Sequence, residues 1–487
     1  MKKILWIMAL CAMSMGAWAI VPPRSINDMA AYNAMKRHLY RSSNAPMREQ
    51  AVGTARVFPK VVVIMVNYSN IAFRISRADV DSMFNAQHFT KDGATGSVRQ
   101  YFYDQSDGRY NPQFDIYGPV TVNGNCYAYK SREGQMVVEA CDLMNDSLDF
   151  SQYDLDGDGK VDLVYCLYAG PGASDANGID QTWISNPGNL IWPHYFRTSS
   201  TARFDGKRIY DYEVSSELDG YESNATTAVQ MGVGLACHEF GHALGLPDIY
   251  ATSEQYTHKT CGMWDVMDYG CYNNNVHTPP SYSAYERWFM GWRTPRVLAD
   301  PETVNLAAIN TGGETLIISP TGAHNLDGVY PNPAEFYMLE NRQKTGWDIG
   351  IPGNGLMLTH IRYDNGKWTG NTVNNNASEM GVDIVEADGV APSSSQGDGW
   401  YGKQTDLFPA GATSFTVFES DSVTNITMNN QIVSFLYKGG DPEPLPSVLD
   451  ENETEPVTSR KILRDGRIYI LRNGKEYDIL GHENNKL

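Results

Sequence analysis

Residues 236–248 read Ala236-Cys237-His238-Glu239-Phe240-Gly241-His242-Ala243-Leu244-Gly245-Leu246-Pro247-Asp248. On a helix, His238 and His242 are four residues apart and lie on one face, so their imidazoles can bind the same metal ion. Glu239 lies beside them and is placed to accept a proton from a water molecule on that ion, rather than to bind the ion itself. The stretch therefore predicts a helix that carries a zinc site and organises the domain around it.

The residues after the second histidine predict a third ligand. Gly245 suits the left-handed residue that ends a helix, and Pro247 prevents the helix from resuming. The chain then turns back, so Asp248 can reach the same ion. Three protein ligands leave the fourth zinc position open, which is typical of a catalytic site. In the alternative interpretation Asp248 only caps the turn, and another carboxylate such as Asp265 binds the metal.

A second motif follows at residues 261–269 and reads Cys261-Gly262-Met263-Trp264-Asp265-Val266-Met267-Asp268-Tyr269. With the zinc motif, it resembles the M6 family of secreted zinc metalloproteases, of the immune inhibitor A type. The supporting motifs are Tyr153-Asp154-Leu155-Asp156-Gly157-Asp158-Gly159, Ile191-Trp192-Pro193-His194, Glu340-Asn341-Arg342-Gln343 and Pro352-Gly353-Asn354-Gly355-Leu356. The resemblance spans residues 57–437.

This resemblance implies a zinc endopeptidase with a metzincin-type site, in which a tight turn carrying Met267 passes beneath the metal. Tyr269 then has the position of the tyrosine that stabilises the oxyanion in some metzincins. A packed aromatic side chain is an equally good interpretation of Tyr269. Core filling is the ordinary role of a methionine such as Met267.

Four acidic residues at fixed spacing predict a calcium-binding loop. They are Asp154, Asp156, Asp158 and Asp162. Counted from the first, they stand at positions 1, 3, 5 and 9 with Gly159 at position 6, and this spacing wraps oxygen ligands around Ca²⁺. Position 12 is Tyr165 rather than the glutamate of an EF-hand, so only the loop is EF-hand-like. An acidic surface turn without an ion is the alternative interpretation.

The N-terminus has the three parts of a secretory signal peptide. Residues 2–3 are positively charged, an apolar run extends to residue 16, and Ala17-Trp18-Ala19 is a small-x-small cleavage site. Residues 1–19 are therefore expected to be removed on export, and no other stretch is long and apolar enough to cross a membrane. The mature protein is expected to be secreted or held at the cell surface, with residues 20–56 as a short propeptide or N-terminal segment.

Composition restricts the partners. The formal net charge of −19 opposes binding to nucleic acid and anionic lipid, and no basic cluster offsets it. The expected partners are protein or peptide substrates, and a monomer is expected.

The six cysteines after the signal peptide are too few for a disulfide scaffold. Cys261 and Cys271 flank the Met267 turn and could form a bridge, whereas Cys166 is expected to be a free core thiol.

The pattern of apolar residues predicts a mixed α/β, or α+β, metzincin-like catalytic domain over residues 57–297. Strands are expected at 61–66, 120–129 and 161–168, and helices at 76–84, 96–103 and 283–290. Ser76 is the expected N-terminal cap of the first helix. The helix with the zinc ligands is expected to begin near Asn224 or Thr226.

The pattern of apolar and turn-forming residues changes after residue 297. Residues 298–438 show short alternating strands separated by Gly, Asn and Pro turns, which predicts an all-β, sandwich-like domain. Residues 439–459 are an acidic linker rich in Pro and Gly. Residues 460–487 contain Asp465-Gly466 and Asn473-Gly474 between alternating runs, which predicts β-hairpins. This tail resembles short C-terminal modules that direct exported bacterial proteases to secretion or cell-surface machinery; a simple β appendage is the alternative.

The sequence thus predicts a secreted zinc-dependent endopeptidase. Zn²⁺ on His238, His242 and Asp248 would activate a water molecule, and Glu239 would act as the general base. Two other classes remain open: a zinc hydrolase of a non-peptide substrate, and a surface adhesion or binding protein with a vestigial protease site. The intact Glu239 argues against the vestigial site, because a purely structural metal needs no base.

Overall fold

The computed structural model describes residues 19–20, 22, 24, 53–252, 258–391, 402–440, 459–464, 467–472 and 475–477. Two compact units are present, Met1–Gly440 and Asp441–Leu487. Most of the predicted signal peptide, most of residues 20–56 and most of the predicted linker lie outside the described residues.

The first unit is built on a six-stranded sheet. Its strands and an adjoining hairpin, β6–β7, are β1 (Ala19–Ile20), β2 (Lys60–Asn67), β3 (Gln113–Thr121), β4 (Val164–Pro171), β5 (His194–Arg197), β6 (Arg203–Phe204), β7 (Lys207–Arg208) and β8 (Asp211–Leu218). The strand order is β1-β5-β8-β4-β2-β3. Strands β8, β4, β2 and β3 are parallel, whereas β5 runs antiparallel to β8 and to β1. Every residue of β4 and β8 is buried, as expected of central strands with both faces covered.

Helices cover both faces of this sheet. They are α1 (Arg77–Asn85), α2 (Val98–Gln105), α3 (Glu133–Met144) and α4 (Val233–Leu244). A fifth helix, α5 (Ala284–Phe289), contacts the strand at Glu335–Arg342 of another sheet. Neighbouring side chains of β4 point to opposite faces: Tyr165 packs against Phe84 of α1, so the buried Cys166 points to the other face. Helix α3 contacts β4 as well. The Ser76 hydroxyl accepts a hydrogen bond from the backbone N–H of Asp79, which confirms the predicted cap. The first unit is therefore a mixed α/β structure, as predicted.

Two of the predicted boundaries are wrong. The strand expected at 120–129 is β3, which ends at Thr121, because the Asn-Gly pair at 123–124 favours a turn. Helix α4 begins at Val233 with Gly232 as its cap, well after the expected start. The Asn224 carboxamide instead accepts from the backbone N–H groups of Thr226 and Thr227, so it stabilises a turn before the helix.

Residues 296–437 form two further sheets. Their strands are β9 (Arg296–Leu298), β10 (Glu302–Leu306), β11 (Leu316–Ile318), β12 (Glu335–Arg342), β13 (Gly355–Arg362), β14 (Val382–Ile384), β15 (Phe415–Val417), β16 (Asp421–Asn429) and β17 (Ile432–Tyr437), with helix α6 (Asn365–Thr369) after β13. The sheet orders are β14-β13-β12-β11-β9 and β10-β17-β16-β15. One core, including Leu339, Leu358 and Phe435, contains residues of both sheets. The opposite face of the five-stranded sheet, including Phe336 and Met357, joins the main core of the unit.

The second unit contains three antiparallel strands, β18 (Ser459–Arg464), β19 (Arg467–Arg472) and β20 (Lys475–Tyr477). The predicted Asp-Gly and Asn-Gly turns fall between them and lie outside the described residues.

The structure answers the open question of a bridge between Cys261 and Cys271. Cys261 and Cys271 do not form a bridge, since all six cysteines of the described residues are free and buried. Cys166 is a free core thiol, as predicted. Within the described part of the chain, no helix is both long and apolar enough to cross a bilayer.

Candidate metal centre

The two histidines and Asp248 converge on one point inside the protein. His238 Nε2 and His242 Nε2 are 3.1 Å apart, and Asp248 Oδ1 lies 3.4 Å from the first and 3.1 Å from the second. All three side chains are fully buried. The structure therefore brings together the three residues predicted as zinc ligands.

These distances suit a metal ion. Two atoms that are each about 2.0–2.1 Å from one tetrahedral zinc ion lie roughly 3.3–3.4 Å from each other. His238 Nδ1 and His242 Nδ1 each donate to a backbone carbonyl, of Val266 and Leu246 respectively, at 2.8 Å. Because each Nδ1 carries the hydrogen, each Nε2 presents a lone pair to the centre.

The end of helix α4 turns the chain back towards the histidines. Gly245 has a φ of +113°, in the left-handed region that glycine adopts at little cost. The Leu246 N–H donates to the Gly241 carbonyl at 3.0 Å, which satisfies an orphan carbonyl of the last turn. Asp248 then reaches the centre. Burial works to raise the pKa of its carboxyl, but His242 and His238 outweigh burial and hold the pKa well below its usual value.

Asn371, which lies in the β-sheet region at residues 296–437, forms two hydrogen bonds with Asp248. The Asn371 carboxamide donates to Asp248 Oδ2 at 2.5 Å and accepts from the Asp248 N–H at 2.6 Å. Nearby, the Asn374 carboxamide donates to the Ile249 carbonyl at 2.8 Å. Sequence reasoning missed Asn371, because nothing in its local pattern distinguishes it from other asparagines in turns.

Met267 lies directly under helix α4. A Cβ added to Gly241 would be 2.7 Å from the Met267 sulfur, so the glycine permits the close approach. The Met267 carbonyl accepts from the Ile249 N–H at 2.9 Å. Asp265, the alternative candidate for third ligand, forms a different interaction: its Oδ1 accepts a hydrogen bond from the Met267 N–H at 2.7 Å. Burial, together with the neighbouring Asp268, raises the pKa of the Asp265 carboxyl to about 7.

Glu239 is fully buried on the same helix as the two histidines. A second buried carboxyl, Glu213 of β8, lies close enough to interact with it electrostatically. Burial, reinforced by the charge of Glu239, raises the pKa of Glu213 well above its usual value. Sequence reasoning missed Glu213 as well, because β8 was not predicted.

Tyr269 is partly buried beside the segment that carries Asp248. Its ring packs against Tyr250 with centroids 6.4 Å apart, and the Lys259 ammonium lies 5.9 Å from the ring centre. Tyr250 follows Asp248 by two positions, so Tyr269 lies on the same side of the metal centre as Asp248.

The predicted calcium loop brings three of its four carboxylates together. Asp154, Asp156 and Asp162 each offer an oxygen within 4.8 Å of the others, whereas the Asp158 carboxylate pairs with Lys160. Asp154 Oδ1 is buried and has no hydrogen-bond partner among the described residues, while its Oδ2 meets Lys207 Nζ at 2.6 Å. A buried, unsatisfied carboxylate oxygen fits a cation site.

Residues 60–294 match the model of the immune inhibitor A peptidase M6 catalytic domain. The chain therefore carries a domain of the M6 peptidase family. This match covers the six-stranded sheet from β2 onwards, all five helices α1–α5 and the metal centre, but it ends before Asn371.

Two curated relatives extend the M6 comparison. The chain is 21% identical over 428 residues to the pre-pro-metalloprotease PrtV of Vibrio cholerae, covering 72% of this chain and 45% of the relative. It is 26% identical over 299 residues to immune inhibitor A of Bacillus thuringiensis subsp. alesti, covering 50% of this chain and 41% of the relative. The chain thus spans less than half the length of these relatives.

Proposed function

We propose that this chain is a zinc-dependent endopeptidase of the metzincin type. The observation that carries the proposal is the convergence of His238 Nε2, His242 Nε2 and Asp248 Oδ1 within 3.1–3.4 Å of one another. The M6 match and the two metalloprotease relatives support it.

Each residue of the centre has a distinct task in this proposal. His238, His242 and Asp248 would hold Zn²⁺, which when bound acidifies a water molecule and polarises the scissile carbonyl. Glu239 accepts a proton from the attacking water and returns it to the leaving amine. The buried Glu213 beside Glu239 lies in an environment that favours its neutral form, which limits repulsion between the two carboxyls.

Two further roles belong to the proposal. Met267 packs under helix α4 and sets the distance between this helix and the turn at 265–268. Tyr269 donates its phenolic hydrogen to the oxyanion that forms on the substrate carbonyl. Tyr269 is only partly buried next to Tyr250, which supports access of a substrate to this side chain from the solvent. A packing role explains the same contacts.

We also propose Ca²⁺ at Asp154, Asp156 and Asp162, with Asp158 outside the ligand set. The buried Asp154 Oδ1 without a hydrogen-bond partner among the described residues supports this site. Protein or peptide substrates, export by residues 1–19, secretion or cell-surface localisation, a monomeric state and a sorting role for residues 460–487 remain proposals drawn from sequence.

Peptide-bond hydrolysis by the purified protein tests the central proposal. The protein should cleave an unfolded protein substrate, lose that activity in a strong zinc chelator, and regain it when stoichiometric zinc is returned. Activity that survives complete removal of metal would refute the proposal. Hydrolysis of esters or glycosides without any peptide cleavage would point to the non-peptide alternative.

A further inference from the structure

The guanidinium of Arg24 occupies an acidic pocket formed by residues far away in the sequence. Its Nη1 lies 2.8 Å from Asp219 Oδ2 and 3.4 Å from Asp175 Oδ2. The guanidinium carbon also lies 4.6 Å from the ring centre of Tyr221 and 5.9 Å from that of Tyr272. Two carboxylates and aromatic faces are the groups that recognise arginine.

The pocket is held rigidly by the fold. Asp175 and Asp219 lie in the segments that follow the carboxyl ends of β4 and β8, and each side chain is only 1% exposed. The backbone N–H of Gly220 donates to Asp175 Oδ2 at 2.9 Å, and that of Tyr221 donates to Asp219 Oδ1 at 2.8 Å. The carboxylates are therefore fixed by bonds that do not depend on Arg24.

The N-terminal segment reaches this pocket in the manner of a bound peptide. Ile20 and Ala19 pair antiparallel with His194 and Tyr195 of β5, so β1 extends the sheet at the side where β5 would otherwise be the edge. The Tyr272 hydroxyl donates to the Pro22 carbonyl at 2.5 Å. Addition of an extended segment to a sheet edge, with one side chain in a pocket, is a general mode of peptide recognition.

The pocket adjoins the helix that carries the two histidines. A Cβ added to Gly234 of α4 would clash with the Cys271 carbonyl oxygen, and Cys271 directly precedes Tyr272 of the pocket. The pocket therefore lies next to the helix of the proposed active site.

We propose that the pocket of Asp175, Asp219, Tyr221 and Tyr272 is the subsite that selects an arginine side chain in a peptide, and that Arg24 fills it in the unprocessed chain. This inference rests on the proposed peptidase function. When Arg24 leaves, the two buried carboxylates lose the attraction of its guanidinium, and that loss is a cost for buried charges. An incoming guanidinium removes that cost, and the two aromatic faces favour arginine over lysine.

A purely structural role for Arg24 makes a different prediction. If Arg24 only anchored its own segment to the domain, the pocket left empty by its removal would not bind a free arginine derivative. The subsite should bind such a derivative once Arg24 is shortened. The probe is N-acetyl-L-arginine methylamide, and its uncharged near-isostere N-acetyl-L-citrulline methylamide is the matched ligand control.

Calorimetric titration of the full chain decides between these roles without any turnover. The Arg24→Ala variant should bind the arginine probe saturably and the citrulline probe at least about tenfold more weakly, because a charge-assisted bond to buried carboxylates is lost. Adding Asp219→Asn should weaken arginine binding by a similar factor. Adding Asp180→Asn should change nothing, since Asp180 is exposed and its carboxylate accepts hydrogen bonds from Thr182, outside the pocket. Equal binding of both probes to Arg24→Ala, or binding of neither, would overturn the proposal.

A pair of peptides that differ by one arginine-to-citrulline change links the pocket to catalysis. The Arg24→Ala protein should cleave the arginine peptide with a kcat/KM at least about tenfold higher, and the preference should fall to near one after Asp219→Asn. Equal cleavage of both peptides by Arg24→Ala would overturn the subsite but leave the peptidase standing. Absence of all cleavage would count against the peptidase, and the probe titration would still decide the pocket.

Discussion

Asn371 bonds Asp248 twice, once through the carboxylate and once through the backbone N–H, at 2.5 and 2.6 Å. Both side chains are fully buried, and Asn371 lies beyond the residues that match the M6 domain. The β-sheet region therefore fixes the orientation of Asp248, the carboxylate proposed to bind the metal.

This relationship predicts that Asn371→Ala weakens zinc binding. Loss of a group that orients a ligand costs about 10–100-fold in metal affinity, and zinc competition against a chromogenic chelator measures it. Asn376→Ala is the control, because Asn376 is exposed and its carboxamide bonds residues 378 and 379. Unchanged zinc affinity in Asn371→Ala would show that Asp248 holds its position without help.

Substitution of the two candidate carboxylates separates the third ligand from its rival. Asp248→Ala should lose zinc during dialysis against a weak chelator, because only two imidazoles remain. Asp265→Asn should keep it, since its Oδ1 serves the Met267 N–H, and an amide oxygen can accept the same bond. Zinc retained by Asp248→Ala, or lost by Asp265→Asn, would reverse the assignment.

The acidic loop predicts a calcium-dependent stability. Calcium that binds only the folded protein should stabilise it by about 2.7 kcal/mol at a concentration near a hundred times Kd, so chelation should lower Tm while zinc stays bound. Asp154→Asn should abolish the calcium effect. Asp158→Asn should preserve it, because Asp158 pairs with Lys160. A Tm indifferent to calcium in calcium-free protein would reject the site.

Glu133 at the start of α3 predicts a loss of stability as the pH rises. Burial raises its pKa from the ordinary value of 4.5 to about 7, so the folded state keeps its proton to higher pH than the unfolded state. Stability should therefore fall between about pH 4.5 and 7, by up to about 3 kcal/mol from this group. Urea unfolding at pH 5 and pH 8 should show a smaller difference in Glu133→Gln. The exposed Asp142 of the same helix provides the control Asp142→Asn, and an equal pH dependence in wild type and Glu133→Gln would contradict the account.

The parts of the metal centre that could be predicted from sequence depend on residues close together in the chain. The spacing of His238 and His242 and the Gly245 helix end place three groups within a single helix and turn, so short-range geometry was enough to bring Asp248 back. The start of α4 was wrong because residues near Asn224 favour a turn as readily as a helix cap. Asn371 and the Arg24 pocket could not be predicted, because their partners are more than a hundred residues away in the chain.

In the proposed mechanism, Glu239 moves the proton while His238, His242 and Asp248 hold the metal. The decisive measurement combines zinc content with the kcat of peptide hydrolysis in Glu239→Gln. We expect a kcat lower by about 10²–10⁴-fold, with close to one zinc ion per chain as in the wild type. Loss of the zinc together with the activity, or full activity without the carboxylate, would contradict it.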